Sequence, residues 1–257
     1  MPRGREPLYL LGLPENGAWF AKESGSACLR FGVRRMFRVK ICGITSAADG
    51  LAAAEAGADA IGLNFYAGSP RCCSLEVARE IASAVPRGVC RVGVFVDAPA
   101  SEIRHTAEVV GLDAVQLHGN ESVELQRAIR PLPIVRAFRV AGELTAIDEY
   151  LTACHLARCE PRMLLLDACQ PGALGGTGKT LDWSAIAAGR QHLRGIPLVL
   201  AGGLTSENVA QAIQTARPWA VDTASGVEMS PGRKSATKVQ AFVAAAHQAF
   251  ARAAWAR

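Results

Sequence analysis

Residues 59–96 read DAIGLNFYAGSPRCCSLEVAREIASAVPRGVCRVGVFV. A nearly continuous apolar run over 59–65 gives way to a turn that carries Gly68 and Pro70. Leu75, Ala78, Ala82 and Val85 then recur at three- and four-residue steps, and a second apolar run fills 91–96. The two runs read as strands buried on both faces, and the middle segment reads as a helix over 75–85 with one apolar stripe. Two strands joined through a helix form the crossover unit that parallel pairing requires.

The same phrase recurs on both sides of this unit. Further strands are expected at 38–42, 113–117, 133–138, 163–167, 197–201 and 219–223, which makes eight in all. Between them lie segments of helical length. Thr205 stands where an N-cap belongs for a helix over 205–216, and the last helix is expected at about 235–254. The helix near 144–152 has the least regular stripe. Eight alternating units in 257 residues match a single α/β domain, a closed (β/α)8 TIM barrel, whose typical size is about 250 residues. Residues 36–257 are assigned to the barrel. Residues 1–35 show no sustained period and read as an N-terminal extension outside it, poorly ordered or a misassigned start, with Met36 as the natural beginning.

Composition narrows the function. Half of the residues are hydrophobic and a fifth are charged, enough to build a sizeable core and too apolar for a disordered chain. The net charge of +5 draws on Arg3, Arg5, Arg30, Arg34, Arg35 and Arg38, so the remainder is nearly balanced and offers no electrostatic case for nucleic acid. No apolar run reaches the roughly 18 residues of a membrane span, and Leu8 to Leu13 is too short for a secretory signal. The eight cysteines are scattered, and Cys154 and Cys159 lack a second ligand pair for zinc. Scattered reduced thiols in a cytosolic protein are expected rather than a disulfide framework or a zinc site.

In a barrel of this kind chemistry belongs at the C-terminal strand ends. The first strand ends in Cys42. By strand parity Lys40 faces the same way, so its ammonium is expected beneath the thiol, where it would favour thiolate and make Cys42 a better base. A small buried hydrophobe is the alternative reading. The sixth strand closes on Asp167, a carboxylate that is either a general acid or a loop brace. Arg71, in the loop after the second strand, has the geometry to grip a carboxylate. His118 ends the fourth strand as a mouth hydrogen-bonding group or a structural histidine. Asp222 is a second inner carboxylate, read as balancing Lys40. Gly175, Gly176, Gly178 and Lys179 invite a P-loop reading, which fails because Ala173 stands where the first glycine is needed. Gly202 and Gly203 after the seventh strand, with Ser225 and Gly226 after the eighth, sit where barrels bind phosphate through backbone amides.

Taken together, Lys40-Ile41-Cys42-Gly43-Ile44-Thr45, Gln116-Leu117-His118-Gly119, Leu165-Leu166-Asp167, Gly175-Gly176-Thr177-Gly178-Lys179-Thr180, Ala201-Gly202-Gly203-Leu204 and Val221-Asp222 with Ser225-Gly226-Val227-Glu228 resemble the phosphoribosylanthranilate isomerase family. The resemblance runs from about residue 36 to 250 in the correct order. It implies an Amadori rearrangement in tryptophan biosynthesis, carried out without cofactor or metal, in which Cys42 matches the general base and Asp167 the general acid. Arg71 matches the arginine that contacts the anthranilate carboxylate. The glycines at 175–178, 202–203 and 225–226 match the phosphate site. The chain departs from the family at Cys72 and Cys73, where an aromatic residue is usual, and at Thr223-Ala224 in place of Val-Ser. Two rival readings are another phosphate-binding barrel that isomerises or epimerises a sugar phosphate, and a barrel that binds phosphate ligands without catalysis.

Overall fold

The computed structural model describes residues 36–140, 144–168 and 182–254. Eight strands alternate with eight helices: β1 Val39–Cys42, α1 Ala47–Glu55, β2 Ala60–Asn64, α2 Leu75–Ala84, β3 Cys90–Phe95, α3 Ala100–Val110, β4 Ala114–Leu117 and α4 Val123–Ala128 in the first half. The second half runs β5 Ile134–Val140, α5 Thr145–Leu156, β6 Met163–Ala168, α6 Trp183–Ala188, β7 Leu198–Leu200, α7 Val209–Ala216, β8 Ala220–Thr223 and α8 Ala236–Ala254. Each strand pairs in parallel with the next, and β8 closes on β1 with Lys40 opposite Asp222. All eight strands fall where the apolar runs place them.

Local chemistry sets the helix starts. Ser46, Ser74 and Ser122 each accept a backbone N–H of the first turn of α1, α2 and α4, and Asp182 accepts two at α6. The helix expected from Thr205 begins later, at Val209. The Asn208 side chain accepts from the Thr205 N–H and donates to the Gly203 carbonyl, so residues 205–208 form a turn braced by Asn208 rather than a capped first helical turn. A short hairpin, β9 Glu228–Ser230 and β10 Arg233–Lys234, follows a 3₁₀ turn at Ser225–Val227. It escapes the periodicity argument because two or three residues per strand cannot establish a repeat.

Strand parity sorts the core into two bodies. Val39, Ile41, Leu63, Leu117, Leu164, Leu166 and Leu200 point outward against the helices. Ala60, Val92, Ala114, Val135, Ala137, Met163, Leu165, Val199 and Ala220 fill the barrel interior, floored by Met36 and Phe37. At the floor, the Arg38 guanidinium lies over the rings of Trp219 and Phe250, and the Trp219 indole N–H donates to the Phe37 carbonyl. Met36 and Phe37 are therefore part of the packed barrel. Continuing each inner face upward delivers Cys42, Gly62, His118, Arg139, Asp167 and Asp222 to the interior at or near the mouth.

Candidate active site

The β8–β1–β2 sector is built around a buried charge. Lys40 stands on the inner face, which most strands fill with apolar side chains, and it is fully inaccessible to solvent. A bare ammonium there is prohibitively costly, and the neighbouring strand supplies the remedy: Lys40 Nζ lies 2.9 Å from Asp222 Oδ1. Burial works against the charged ammonium, but Asp222 and Cys42 together outweigh it and raise the Lys40 pKa.

Directly above, the Cys42 thiol is only partly exposed. Its position against Lys40 is visible from Gly62 across the β1–β2 pair: a Cβ added there would lie 2.6 Å from the Cys42 Sγ and 3.0 Å from the Lys40 Nζ. Only glycine leaves room for the thiol and the ammonium together. The expected consequence of this proximity needs correction, however. Burial raises the Cys42 pKa above the ordinary thiol value, the Lys40 ammonium pulls it back, and the Asp222 carboxylate pushes it up again. Parity locates the cation, but the desolvation of the thiol and the anion that neutralises Lys40 decide the net direction.

Arg71 reaches over the end of β1. Its chain is set by Asn64 at the end of β2, whose side-chain oxygen accepts from the Tyr66 N–H and whose amide donates to Ser69 Oγ. That hydroxyl in turn accepts from the Arg71 N–H. The guanidinium is committed to a partner that sequence reasoning missed: Nε donates to Glu228 Oε1 at 2.8 Å and Nη2 to Oε2 at 2.7 Å. Glu228 also accepts from Lys234 Nζ at 2.9 Å, and the same ammonium donates to the Ala224 carbonyl at 3.1 Å. Burial alone would raise the Glu228 carboxyl, but the hydrogen bonds from Arg71 and Lys234 hold it below its ordinary value. Glu228 stands within the motif Ser225-Gly226-Val227-Glu228. The only signal in the sequence was a carboxylate followed six residues later by a lysine, a spacing that becomes a contact only once the hairpin turns.

Among the described residues the β4–β6 sector is less tightly paired. Asp167 follows inward-facing Met163 and Leu165 at the end of β6, and its side chain is 22% exposed. His118 Nε2 is 3.3 Å from Asp167 Oδ2, and the Gln116 amide lies 2.8 Å from His118 Nδ1. If the amide nitrogen donates to Nδ1, the other ring nitrogen carries the proton and donates to Asp167. Arg139, also missed, sits opposite Asp167 in the β5–β6 register, and its Nη2 donates to the His118 carbonyl at 3.4 Å.

Of the glycines assigned to phosphate, Gly202 and Gly203 follow β7 with φ of 84° and 66°. Ser225 and Gly226 open the 3₁₀ turn after β8. Gly226 has a packing reason to be glycine, since a Cβ there would fall 1.9 Å from the Leu204 carbonyl oxygen, so the loops after β7 and β8 touch backbone to backbone. The same carbonyl accepts from Thr223 Oγ1 at 2.7 Å. Gly175, Gly176 and Gly178 lie outside the described residues. The structure thus gathers Lys40, Cys42, Arg71 and Asp222 in one sector, and His118 with Asp167 in another, on the inner surface at one end of one barrel.

Known proteins share this sequence and fold. A family model described as N-(5'phosphoribosyl)anthranilate (PRA) isomerase matches residues 39–245. The chain is 46% identical over 216 residues to the N-(5'-phosphoribosyl)anthranilate isomerase of Rubrobacter xylanophilus, across 82% of this chain and 99% of that protein. The barrel is similar to the crystal structure of phosphoribosyl anthranilate isomerase from Thermotoga maritima, with a TM-score of 0.72 and 43% identity over 83% of this chain and 100% of that one. It is also similar, at a TM-score of 0.69 and 41% identity over 83% and 100% of the two chains, to a phosphoribosyl anthranilate isomerase in complex with reduced 1-(o-carboxyphenylamino)-1-deoxyribulose 5-phosphate. With more than three quarters of its length matched and six strand-end motifs in order, this chain belongs to the phosphoribosylanthranilate isomerase family.

Proposed function

We propose that the chain isomerises N-(5′-phosphoribosyl)anthranilate to 1-(2-carboxyphenylamino)-1-deoxyribulose 5-phosphate, a step of tryptophan biosynthesis, with Asp167 as general acid and Cys42 as general base. Asp167 protonates the ribose ring oxygen, the ring opens, and the C1′–N bond becomes a protonated Schiff base. The Cys42 thiolate then takes the C2′ proton, and the electron pair moves into an enolamine that tautomerises to the product ketone. The observation that carries this reading is that β1 and β6, three strands apart around one closed barrel, deliver a thiol and a carboxyl to the same mouth from inward-facing positions. Between such groups a substrate held at both ends is attacked from two sides, and positioning supplies much of the rate.

The two ends of the substrate are assigned accordingly. The loops after β7 and β8, with Gly202, Gly203, Ser225 and Gly226, and the segment with Gly175, Gly176 and Gly178 take the phosphate. Arg71 takes the carboxylate, while Lys40, Asp222 and His118 support the base and the acid. The relative in complex with reduced 1-(o-carboxyphenylamino)-1-deoxyribulose 5-phosphate, a molecule carrying both a phosphate and a carboxylate, supports a site with two anionic anchors. Six described cysteines stand as free thiols, which supports a reducing cytoplasmic setting. Among the described residues no helix is long and apolar enough to cross a membrane. We read the chain as a monomer or homodimer acting on a small molecule.

The test is turnover of the fluorescent substrate, followed as loss of its emission, by chains beginning at Met1 and at Met36. Both are expected to be active, because Met36 and Phe37 already complete the barrel floor. Absence of turnover in both would refute the assigned reaction.

A further inference from the structure

The Arg71–Glu228–Lys234 cluster holds more charge than an anchoring arginine needs. A guanidinium offers two bidentate faces, one along Nε and Nη2 and one across the two terminal nitrogens. Glu228 takes the first with both carboxylate oxygens. This leaves the terminal face, including both Nη1 hydrogens, unclaimed by Glu228 and its direction fixed. The Glu228 carboxylate, 5% exposed, is in turn held by Lys234, whose side chain is 1% exposed, and by the Gly232 N–H. Lys234 also ties down the Ala224 carbonyl, which precedes the 3₁₀ turn proposed to meet phosphate. Two cations thus share one carboxylate, and the side chains of Arg71, Glu228 and Lys234 together carry a formal charge of +1.

We propose that Glu228 and Lys234 are positioning residues that aim the terminal face of Arg71 at the substrate carboxylate and leave the cluster one charge short of neutrality until that carboxylate arrives. The inference rests on the reading of Arg71 given above and deepens it. A lone surface arginine would gain little from a carboxylate in water, whereas a fixed, partly desolvated fork with a net charge of +1 gains a bidentate, charge-matched contact. Lys234 lets Glu228 orient Arg71 without cancelling the attraction that Arg71 has to provide.

Steady-state kinetics on N-(5′-phosphoribosyl)anthranilate and on its aniline analogue, which lacks the carboxylate, tests the idea. The quantity read is the ratio of the two kcat/KM values in the parent chain, Arg71→Met, Glu228→Gln, Glu228→Asp and the double variant Arg71→Met/Glu228→Gln. We expect Glu228→Gln to lower the ratio by about tenfold, chiefly through a higher KM for the carboxylate substrate. Glu228→Asp, which keeps the charge but withdraws it, is expected to do the same, and it carries the test if the glutamine variant does not fold. The double variant is expected to fall no further than Arg71→Met, because both changes remove one contact. A collapsed ratio in Arg71→Met with an unchanged ratio in the Glu228 variants overturns the proposal alone. An unchanged ratio in Arg71→Met overturns the reading of Arg71 itself.

Discussion

The two sectors of the mouth are constructed differently. Around Cys42, three ion pairs of 2.7–2.9 Å lock Lys40 to Asp222, Arg71 to Glu228 and Lys234 to Glu228, and every member is largely buried. Around Asp167, the contacts among the described residues are a 3.3 Å approach of His118 and a 3.4 Å hydrogen bond from Arg139 to the His118 carbonyl, and the carboxyl is 22% exposed. A base that must reach a proton on carbon gains from a fixed, dry seat, because a small misplacement weakens the transfer steeply. An acid that protonates an oxygen must recover a proton in each cycle, and partial access to solvent serves that. On the proposed assignment, rigidity is concentrated where the bond to carbon breaks.

The largest effect should come from deleting the two reacting groups, which tests whether both sectors are chemical. Cys42→Ala and Asp167→Asn are each expected to lower kcat by about 10² to 10⁴-fold with circular dichroism unchanged. Near-normal turnover in either variant would strip its sector of the assigned role. Gly62→Ala strikes the tight sector without touching a polar group. The added methyl would overlap the Cys42 Sγ and crowd the Lys40 Nζ, so kcat should fall by about 10²-fold, and an active Gly62→Ala would show that the thiol has room to spare.

Lys40→Met separates stability from chemistry in the same sector. It strands the buried Asp222 carboxylate, and chemical denaturation should show a loss of about 3–5 kcal/mol, much of it recovered in Lys40→Met/Asp222→Asn. A mild effect of Lys40→Met would mean that the pair is hydrated. The pH profile adds a sign. In the proposed mechanism Cys42 works as thiolate, and its pKa is raised, so kcat/KM should climb with pH on a limb more alkaline than a free thiol, about 8.5. Removing the ammonium that pulls the thiol down should move that limb further up, and a limb on the acidic side would contradict the burial of the thiol. The smallest effect is expected on the Asp167 side. His118→Asn keeps a hydrogen-bonding side chain near Asp167 and should cost kcat about tenfold or less, and a loss equal to that of Asp167→Asn would promote His118 to a reacting group.

Much of this was legible beforehand. Apolar runs such as 59–65 and 163–167 could be read as strands because a strand buried on both faces tolerates little else. Parity then put Lys40 on the same face as Cys42, and the position of a carboxylate at the end of an apolar run singled out Asp167. The start of α7 was misread at Thr205 because a hydroxyl before an apolar stripe signals a cap only if the backbone turns there, and the Asn208 side chain turned it otherwise. Glu228 and Lys234 were passed over because nothing local distinguishes a buried ion pair from two solvated charges on a loop.

Period and position in the chain were sufficient for the eight-unit order, the strand directions and the identity of the residues at strand ends, since these follow from which faces must leave water. Closure of the ring decided the rest. Only when β8 lies against β1 does Asp222 meet Lys40, and only when the hairpin after β8 folds back over Arg71 does Glu228 find its guanidinium. The net direction of the Cys42 pKa belongs to this second group, because desolvation and charge are properties of a neighbourhood assembled from distant parts of the chain.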